Sequence, residues 1–200
     1  ELPKITSAFL TLTHACNMAC RYCFVQQHPE TMTYAVAKDA ADFLAGNAAQ
    51  TGDVPGINFF GGEPMLCWDV IIRPLTEYIR SRYGSRYTLS MTTNGTLLNE
   101  ERLRFMADND ITMLLSIDGD RETQAYNRPL RSGENSFDAL EPLIDLILQY
   151  RPTTGFRATT IPDTCNHMME NLLFAERRGF PSYFTMPDDF GKWTQESIDT

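Results

Sequence analysis

Short apolar runs rich in β-branched residues alternate along this chain with longer amphipathic stretches, and the alternation sets out a series of strand and helix pairs. Residues 7–13 form the first predicted strand, and a loop then runs from about Cys16 to Pro29. Thr31 or Thr33 caps the helix TYAVAKDAADFLAGNAAQ, with Val36, Ala40, Phe43 and Leu44 on one face. GINFFGGEP reads as a short buried strand ending in Gly-Gly. The next helix, WDVIIRPLTEYIRSRYG, is closed by Gly84 and is expected to kink at Pro74. YTLSMTTNG is a third strand, NEERLRFMADND a helix with Asn99 as its N-cap, and TMLLSIDG a fourth strand.

A longer polar loop, from about Asp120 to Ser136, precedes the helix FDALEPLIDLILQY. GFRATTIP is a fifth strand, Asp163 or Thr164 caps the helix around MMENLLFAERRG, and SYFTMP is a short sixth strand. From Asp188 the chain is polar and poorly periodic, so a sixth helix is missing or only begun near Ser197. Strands alternating with helices imply βαβ units and a parallel sheet. The repetition is architectural, because no sequence period of about 20 to 50 residues is detectable.

Composition narrows the classes of function. Two hundred residues at 42% hydrophobic are enough for one domain with a proper core. A net charge of -9 and a pI near 4.8 argue against nucleic acid, whose phosphates call for clustered Lys and Arg. No apolar run of about 18 residues and no charged leader is visible, so neither a membrane nor a secretory route is expected and the cytoplasm is the simplest address. The chain starts at Glu1, almost directly before the first strand, as an excised piece of a longer protein would.

The chemistry is expected at HACNMACRYCF, residues 14–24, where Cys16, Cys20 and Cys23 make a C-x3-C-x2-C run just after the first strand. One loop with these spacings can wrap three thiolates around an iron-sulfur cluster, which normally takes four cysteines. No fourth lies nearby, so one iron of a cubane would stay open to a small molecule, as a catalytic zinc keeps an open position. Two alternatives compete. Zinc could recruit His14 or His28, although the three-residue gap is not the usual knuckle spacing and no second cysteine pair follows. Disulfides are disfavoured by the odd count of five cysteines. Cys67 and Cys165 stand apart and read as small buried hydrophobes.

The cysteine spacing, with the aromatic Tyr22 before the last cysteine, resembles the radical S-adenosylmethionine (radical SAM) enzymes. The resemblance continues at Gly61-Gly62-Glu63-Pro64, Thr93-Asn94-Gly95 and Ser116-Ile117-Asp118-Gly119, and covers nearly the whole chain. Together these motifs resemble the SPASM branch, which modifies peptides and proteins and includes sulfatase-maturating enzymes and thioether-forming peptide maturases. Each falls at the C-terminal end of a predicted strand, where βα loops build sites in parallel barrels.

The resemblance implies an α/β fold, a partial (β/α)6 parallel barrel, as a radical SAM core domain over residues 1–200 that lacks a C-terminal cysteine-rich region for auxiliary clusters. It implies a 4Fe-4S cluster on Cys16, Cys20 and Cys23, with SAM bound to the open iron. Gly61, Gly62 and Glu63 would take the ammonium of the methionine part, the two glycines letting backbone approach closely. Asn94, on a face with Ser90 and Thr92, would reach the ribose. Ser116 would meet the carboxylate or ribose, and Arg128 would pair with the carboxylate bidentately. Tyr22 would lie against the adenine, and Arg157 or Thr159 would line the same cofactor. An electron from an external donor would cleave SAM to a 5'-deoxyadenosyl radical that takes hydrogen from a peptide or protein. The favoured substrate is a ribosomally made precursor peptide receiving a thioether or related cross-link. Formylglycine formation on a sulfatase is the alternative, and a non-catalytic iron-sulfur electron carrier a more distant one.

Overall fold

A computed structural model describes residues 4–186 and 193–194. Six strands and six α-helices follow one another among them, one helix between successive strands except for two between the fourth and fifth. They run β1 (Ser7–Thr13), α1 (Tyr34–Thr51), β2 (Gly56–Gly61), α2 (Arg73–Tyr83), β3 (Thr88–Thr93), α3 (Glu100–Asp108), β4 (Ile111–Ser116), α4 (Arg121–Asn127), α5 (Ser136–Tyr150), β5 (Gly155–Thr159), α6 (Met168–Arg177) and β6 (Ser182–Thr185). Strand order in the sheet is chain order, β1-β2-β3-β4-β5-β6. The chain divides into two compact units, the first made of residues 1–16, 25–93 and 97–113 and the second of residues 17–24, 94–96 and 114–200. β4 begins in the first and ends in the second. No helix among the described residues is long and apolar enough to cross a membrane.

In the first unit β1 pairs with β2 and β2 with β3, all parallel, as Leu10↔Phe59 and Ile57↔Leu89 show. Alternation sends Leu10, Leu12, Ile57, Phe59, Leu89 and Met91 to one face, where they are buried with Leu44, Ile72, Leu75 and Leu103 from the helices. Each such Leu or Ile contributes about 1.5–3 kcal/mol by leaving water. The other face is polar, with an Asn58–Ser90 hydrogen bond of 2.8 Å, apart from Phe9 and Phe60, whose rings meet edge to face at 5.7 Å. In the second unit β5 pairs in parallel with the end of β4 and with β6. Leu115, Phe156 and Ala158 are buried there with Phe137, Leu140 and Ile144 of α5.

Several expectations shift. α1 is capped by Thr33, whose side chain accepts from the Val36 N–H, but it buries Ala37, Ala41, Leu44 and Ala48 and leaves Val36 and Phe43 exposed. The buried stripe is a row of alanines, which lets the helix lie close to its neighbours, and bulk alone is a poor guide to it. Pro74 sits in the first turn of α2, behind a 3-10 turn (Pro64–Cys67) and a π turn (Trp68–Ile72). The wider π turn absorbs the missing N–H and the ring clash that a proline brings to a helix. α4 occupies what the polar pattern marks as loop, and Asp120 caps it by accepting from the Thr123 N–H. α6 is entered through a 3-10 turn (Pro162–His167), so neither Asp163 nor Thr164 caps it. The residues from Asp188 to the expected helix near Ser197 lie outside the described residues, apart from Trp193 and Thr194.

Candidate functional site

The expected site residues are divided between the two units, and each unit builds its share from backbone contacts. In the first, the chain leaves β1 at Thr13 and is gripped on two sides. One grip is the returning segment 30–32: the His14 N–H donates to Glu30 O at 3.2 Å, the Thr13 hydroxyl to the same oxygen at 2.9 Å, and the Met32 N–H to Leu12 O at 2.7 Å. The other is the end of β2, where the Gly62 N–H donates to Thr13 O at 2.8 Å and the Glu63 N–H to Ala15 O at 2.9 Å. Gly61 has a φ of +143°, and a Cβ on it would overlap the Thr13 backbone; one on Gly62 would overlap the backbone of Ala15 and His14. The two glycines therefore serve close approach to their own chain, one residue short of Cys16.

Glu63 turns its side chain inward. It is 1% exposed, and its Oε1 accepts from the Met65 N–H at 3.0 Å and from the Thr93 hydroxyl at 2.7 Å. Its carboxylate thus caps the following 3-10 turn. Nearby, Cys67 is buried, and burial, with the Glu63 charge, pushes its thiol up. His14 and His28 are stacked face to face, centroids 4.2 Å apart and 17° between planes.

The second unit holds Cys20, Tyr22 and Cys23. Here residues 17–21 run antiparallel to residues 127–131: the Arg131 N–H donates to Asn17 O, the Ala19 N–H to Pro129 O and the Arg21 N–H to Asn127 O, each at 2.9 Å, with a Met18↔Leu130 bridge between. This ribbon brings Tyr22 to Arg128. The Tyr22 hydroxyl donates to Asp118 Oδ2 at 2.6 Å, Arg128 Nε donates to Asp118 Oδ1 at 2.9 Å, and the guanidinium carbon lies 5.2 Å from the Tyr22 ring centroid. Burial raises the Tyr22 hydroxyl well above the usual tyrosine range, Arg128 opposes the rise and Asp118 adds to it, so the hydroxyl stays a donor. Burial works against the Arg128 charge, and Asp118, Tyr22 and Cys20 together more than offset it, so the guanidinium is held more firmly charged than usual.

Asn94 is buried in the same unit: its Nδ2 donates to Asn17 Oδ1 at 2.8 Å, and its Oδ1 accepts from the Thr96 hydroxyl at 2.7 Å and from the Thr96 N–H at 3.0 Å. Asn17, which no sequence signal marks, completes the set by donating to the Thr96 hydroxyl at 2.8 Å. Ser116 ends β4 opposite Arg157, and its hydroxyl makes no hydrogen bond among the described residues. Arg157 is exposed, while Thr159 is half-buried and its N–H donates to Asp118 Oδ1 at 2.9 Å. The structure thus brings together Tyr22 and Arg128 through Asp118, a residue of the Ser-Ile-Asp-Gly motif that the sequence leaves without a role.

The donor set fits the expected cluster. Cys16, Cys20 and Cys23 are half-buried or exposed, and no disulfide forms among the described residues. No group of three or more His, Cys, Asp or Glu side chains among them could hold a single metal ion. A cluster divides its thiolates among several irons, and this donor chemistry suits it.

A model of the radical SAM superfamily matches residues 10–175. The serine-type anaerobic sulfatase-maturating enzyme of Klebsiella aerogenes is 32% identical over 143 residues, 68% of this chain and 35% of its own length. An S-adenosylmethionine-dependent nucleotide dehydratase of Selenomonas ruminantium is 31% identical over 164 residues, 78% of this chain and 56% of its own. Among solved structures, native anSMEcpe with bound AdoMet and the Cp18Cys peptide superposes with a TM-score of 0.78 at 22% identity, covering 90% of this chain and 50% of that one. Streptococcus suis SuiB bound to its precursor peptide SuiA gives 0.68 at 18% identity, covering 92% and 39%. The fold is thus that of the expected partial barrel, and the chain spans between about a third and somewhat over half of the length of these relatives. By its family match this chain belongs to the radical SAM superfamily, whose members use a 4Fe-4S cluster and S-adenosylmethionine.

Proposed function

We propose that this chain is the core of a radical SAM enzyme that modifies a peptide or protein side chain. The observation that carries the cofactor half of this reading is the hydrogen bonding of Gly62 and Glu63 to Thr13 and Ala15, which fixes the motif against the lead-in to Cys16. Cys16, Cys20 and Cys23 would hold the cluster. The backbone of Gly61 to Glu63 would face the methionine ammonium, since the Glu63 carboxylate is committed to Met65 and Thr93. The Ser116 hydroxyl and the Nη groups of Arg128 would orient the carboxylate, Arg128 keeping its Nε on Asp118. Tyr22 would rest against the adenine and Asn94 beside the ribose. When bound and reduced by an external donor, the cluster supplies the electron that cleaves SAM and yields a radical able to take hydrogen from the substrate. The residues of this chain bind, orient and exclude water.

The likeness to structures holding the Cp18Cys peptide and SuiA supports a peptide substrate, and a ribosomally made precursor receiving a cross-link remains the favoured one. The similarity to a sulfatase-maturating enzyme favours formylglycine formation as the second reading. The net charge of -9 supports a basic or neutral partner and gives no footing for nucleic acid, and the protein is proposed to work in the cytoplasm.

The test is anaerobic reconstitution of the full-length protein, with deoxyadenosine measured from SAM under dithionite beside a Cys16, Cys20, Cys23 triple-Ala variant. Product that vanishes in the variant supports the reading, and a mass change on a candidate precursor or sulfatase peptide assigns the substrate. A well-loaded cluster that makes no deoxyadenosine would point to an electron carrier.

A further inference from the structure

Asp118 is held on several sides within the second unit. Its side chain has no exposed surface, and its carboxylate accepts from three separate segments: the cysteine loop through Tyr22, the residue after α4 through Arg128 Nε, and β5 through the Thr159 N–H. A carboxylate has about four acceptor sites, so three are filled and little is left for a substrate. The turn around it is fixed from elsewhere in the unit. The Asp118 N–H donates to Gln124 Oε1 at 2.9 Å, and the Asp120 N–H to Asn171 Oδ1 at 3.1 Å. A Cβ on Gly119, whose φ is +155°, would overlap the Asn171 side chain.

The consequence falls on Tyr22. Its ring is tied at the hydroxyl by Asp118 and covered on one face by Arg128, which the same carboxylate holds in place. A ring fixed before a ligand arrives pays no ordering cost on binding. We infer that Asp118 is a positioning residue for SAM, setting Tyr22 and Arg128 together as one preformed wall of the cofactor site. The inference rests on the radical SAM reading given above. A purely structural Asp118–Arg128 pair is the rival, and it predicts no dependence of SAM affinity on the Tyr22 hydroxyl.

The deciding variant is Tyr22→Phe, which keeps the ring and the buried ion pair and deletes one hydrogen bond. Asp118→Asn and the double variant accompany it. Full-length proteins are reconstituted without oxygen, iron and sulfide per chain are counted, and the dissociation constant for SAM is read from the change it causes in the electron paramagnetic resonance spectrum of the reduced cluster. Tyr22→Phe is expected to load iron as the parent does and to bind SAM about tenfold more weakly, the worth of one hydrogen bond to a charged acceptor. The double variant should then bind no more than about twofold more weakly than Asp118→Asn, because both act through one contact. SAM affinity within about twofold of the parent in Tyr22→Phe overturns the inference, as does a loss confined to iron loading. Should Asp118→Asn not fold, Tyr22→Phe decides alone. A fully loaded parent that binds no SAM defeats the radical SAM reading itself, an outcome separate from a parent that binds and a variant that binds equally well.

Discussion

The Thr93 hydroxyl donates to Oε1 of Glu63 at 2.7 Å, and both residues are buried. The bond joins the last residue of β3 to the turn that follows β2, and so ties the Gly-Gly-Glu motif to the neighbouring strand. A carboxylate this deep depends on its donors, because water cannot replace them. Thr93→Val keeps the shape and removes the donor, and it is expected to lower stability by about 2 kcal/mol, whereas Thr93→Ser should stay near the parent. Urea unfolding of the cluster-free protein measures both, and equal midpoints for Val and Ser would deny the bond any such weight.

Signals carried by neighbouring residues were readable in the sequence. The bounds of β1 and the Asn99 cap of α3, which accepts from the Arg102 N–H, are local matters of alternation and capping chemistry. What escaped depends on distance along the chain. Asp118 acquires its role because residues 17–21 pair with residues 127–131, more than a hundred positions away, and nothing in either stretch announces its partner. The glycines of the motif are legible as close-approach residues, but what they approach is the backbone at Thr13 to Ala15. α4 was missed because seven residues, most of them polar, are too few to show a helical period.

Two glycines with opposite surroundings separate crowding from backbone freedom. At Gly62 a methyl group would overlap the Ala15 and His14 backbone, whereas at Gly46, inside α1, nothing lies within 4 Å. Gly46→Ala is expected to raise stability by about 0.5–1 kcal/mol, as alanine does in a helix. Gly62→Ala should break the Glu63 N–H bond to Ala15 and lower the iron retained after reconstitution. Denaturant midpoints and iron analysis test the pair, and a Gly62→Ala protein with parental iron would show that the close approach is dispensable.

Asp42, on α1, accepts from the hydroxyls of Tyr78 and Tyr83, both at 2.7 Å, and from Lys38 at 2.9 Å. Partial burial pushes its carboxyl up, but the three hydrogen bonds outweigh it and hold the group at about 2, below its ordinary 3.8. A depressed folded-state value means that the contribution is complete above about pH 4 and is lost as the pH falls towards 2. With the side chain 33% exposed, solvent screening leaves it worth about 1 kcal/mol. Melting temperatures of the parent and Asp42→Asn should therefore differ at pH 5 and draw together as the pH falls from about 4 through 2, and parallel curves would show that these bonds do not favour the ionised form.

Asn17 follows Cys16 directly and closes a three-residue set, giving Nδ2 to the Thr96 hydroxyl and taking Asn94 Nδ2 on its Oδ1, both at 2.8 Å. The same residue starts the ribbon, since its carbonyl accepts from the Arg131 N–H. Asn17→Ala removes two side-chain bonds and leaves Asn94 and Thr96 each short of a partner, while the ribbon's backbone bonds remain possible. The expected cost is about 1–2 kcal/mol, concentrated where the ribbon begins. If opening of that segment limits exchange, the amides of Ala19 and Arg21, which donate to Pro129 and Asn127, should exchange about 5- to 30-fold faster, with amides of β5 unchanged. Faster exchange throughout the second unit would assign Asn17 to global stability, and unchanged exchange at Ala19 would mean that the backbone ribbon holds the cysteine loop without it.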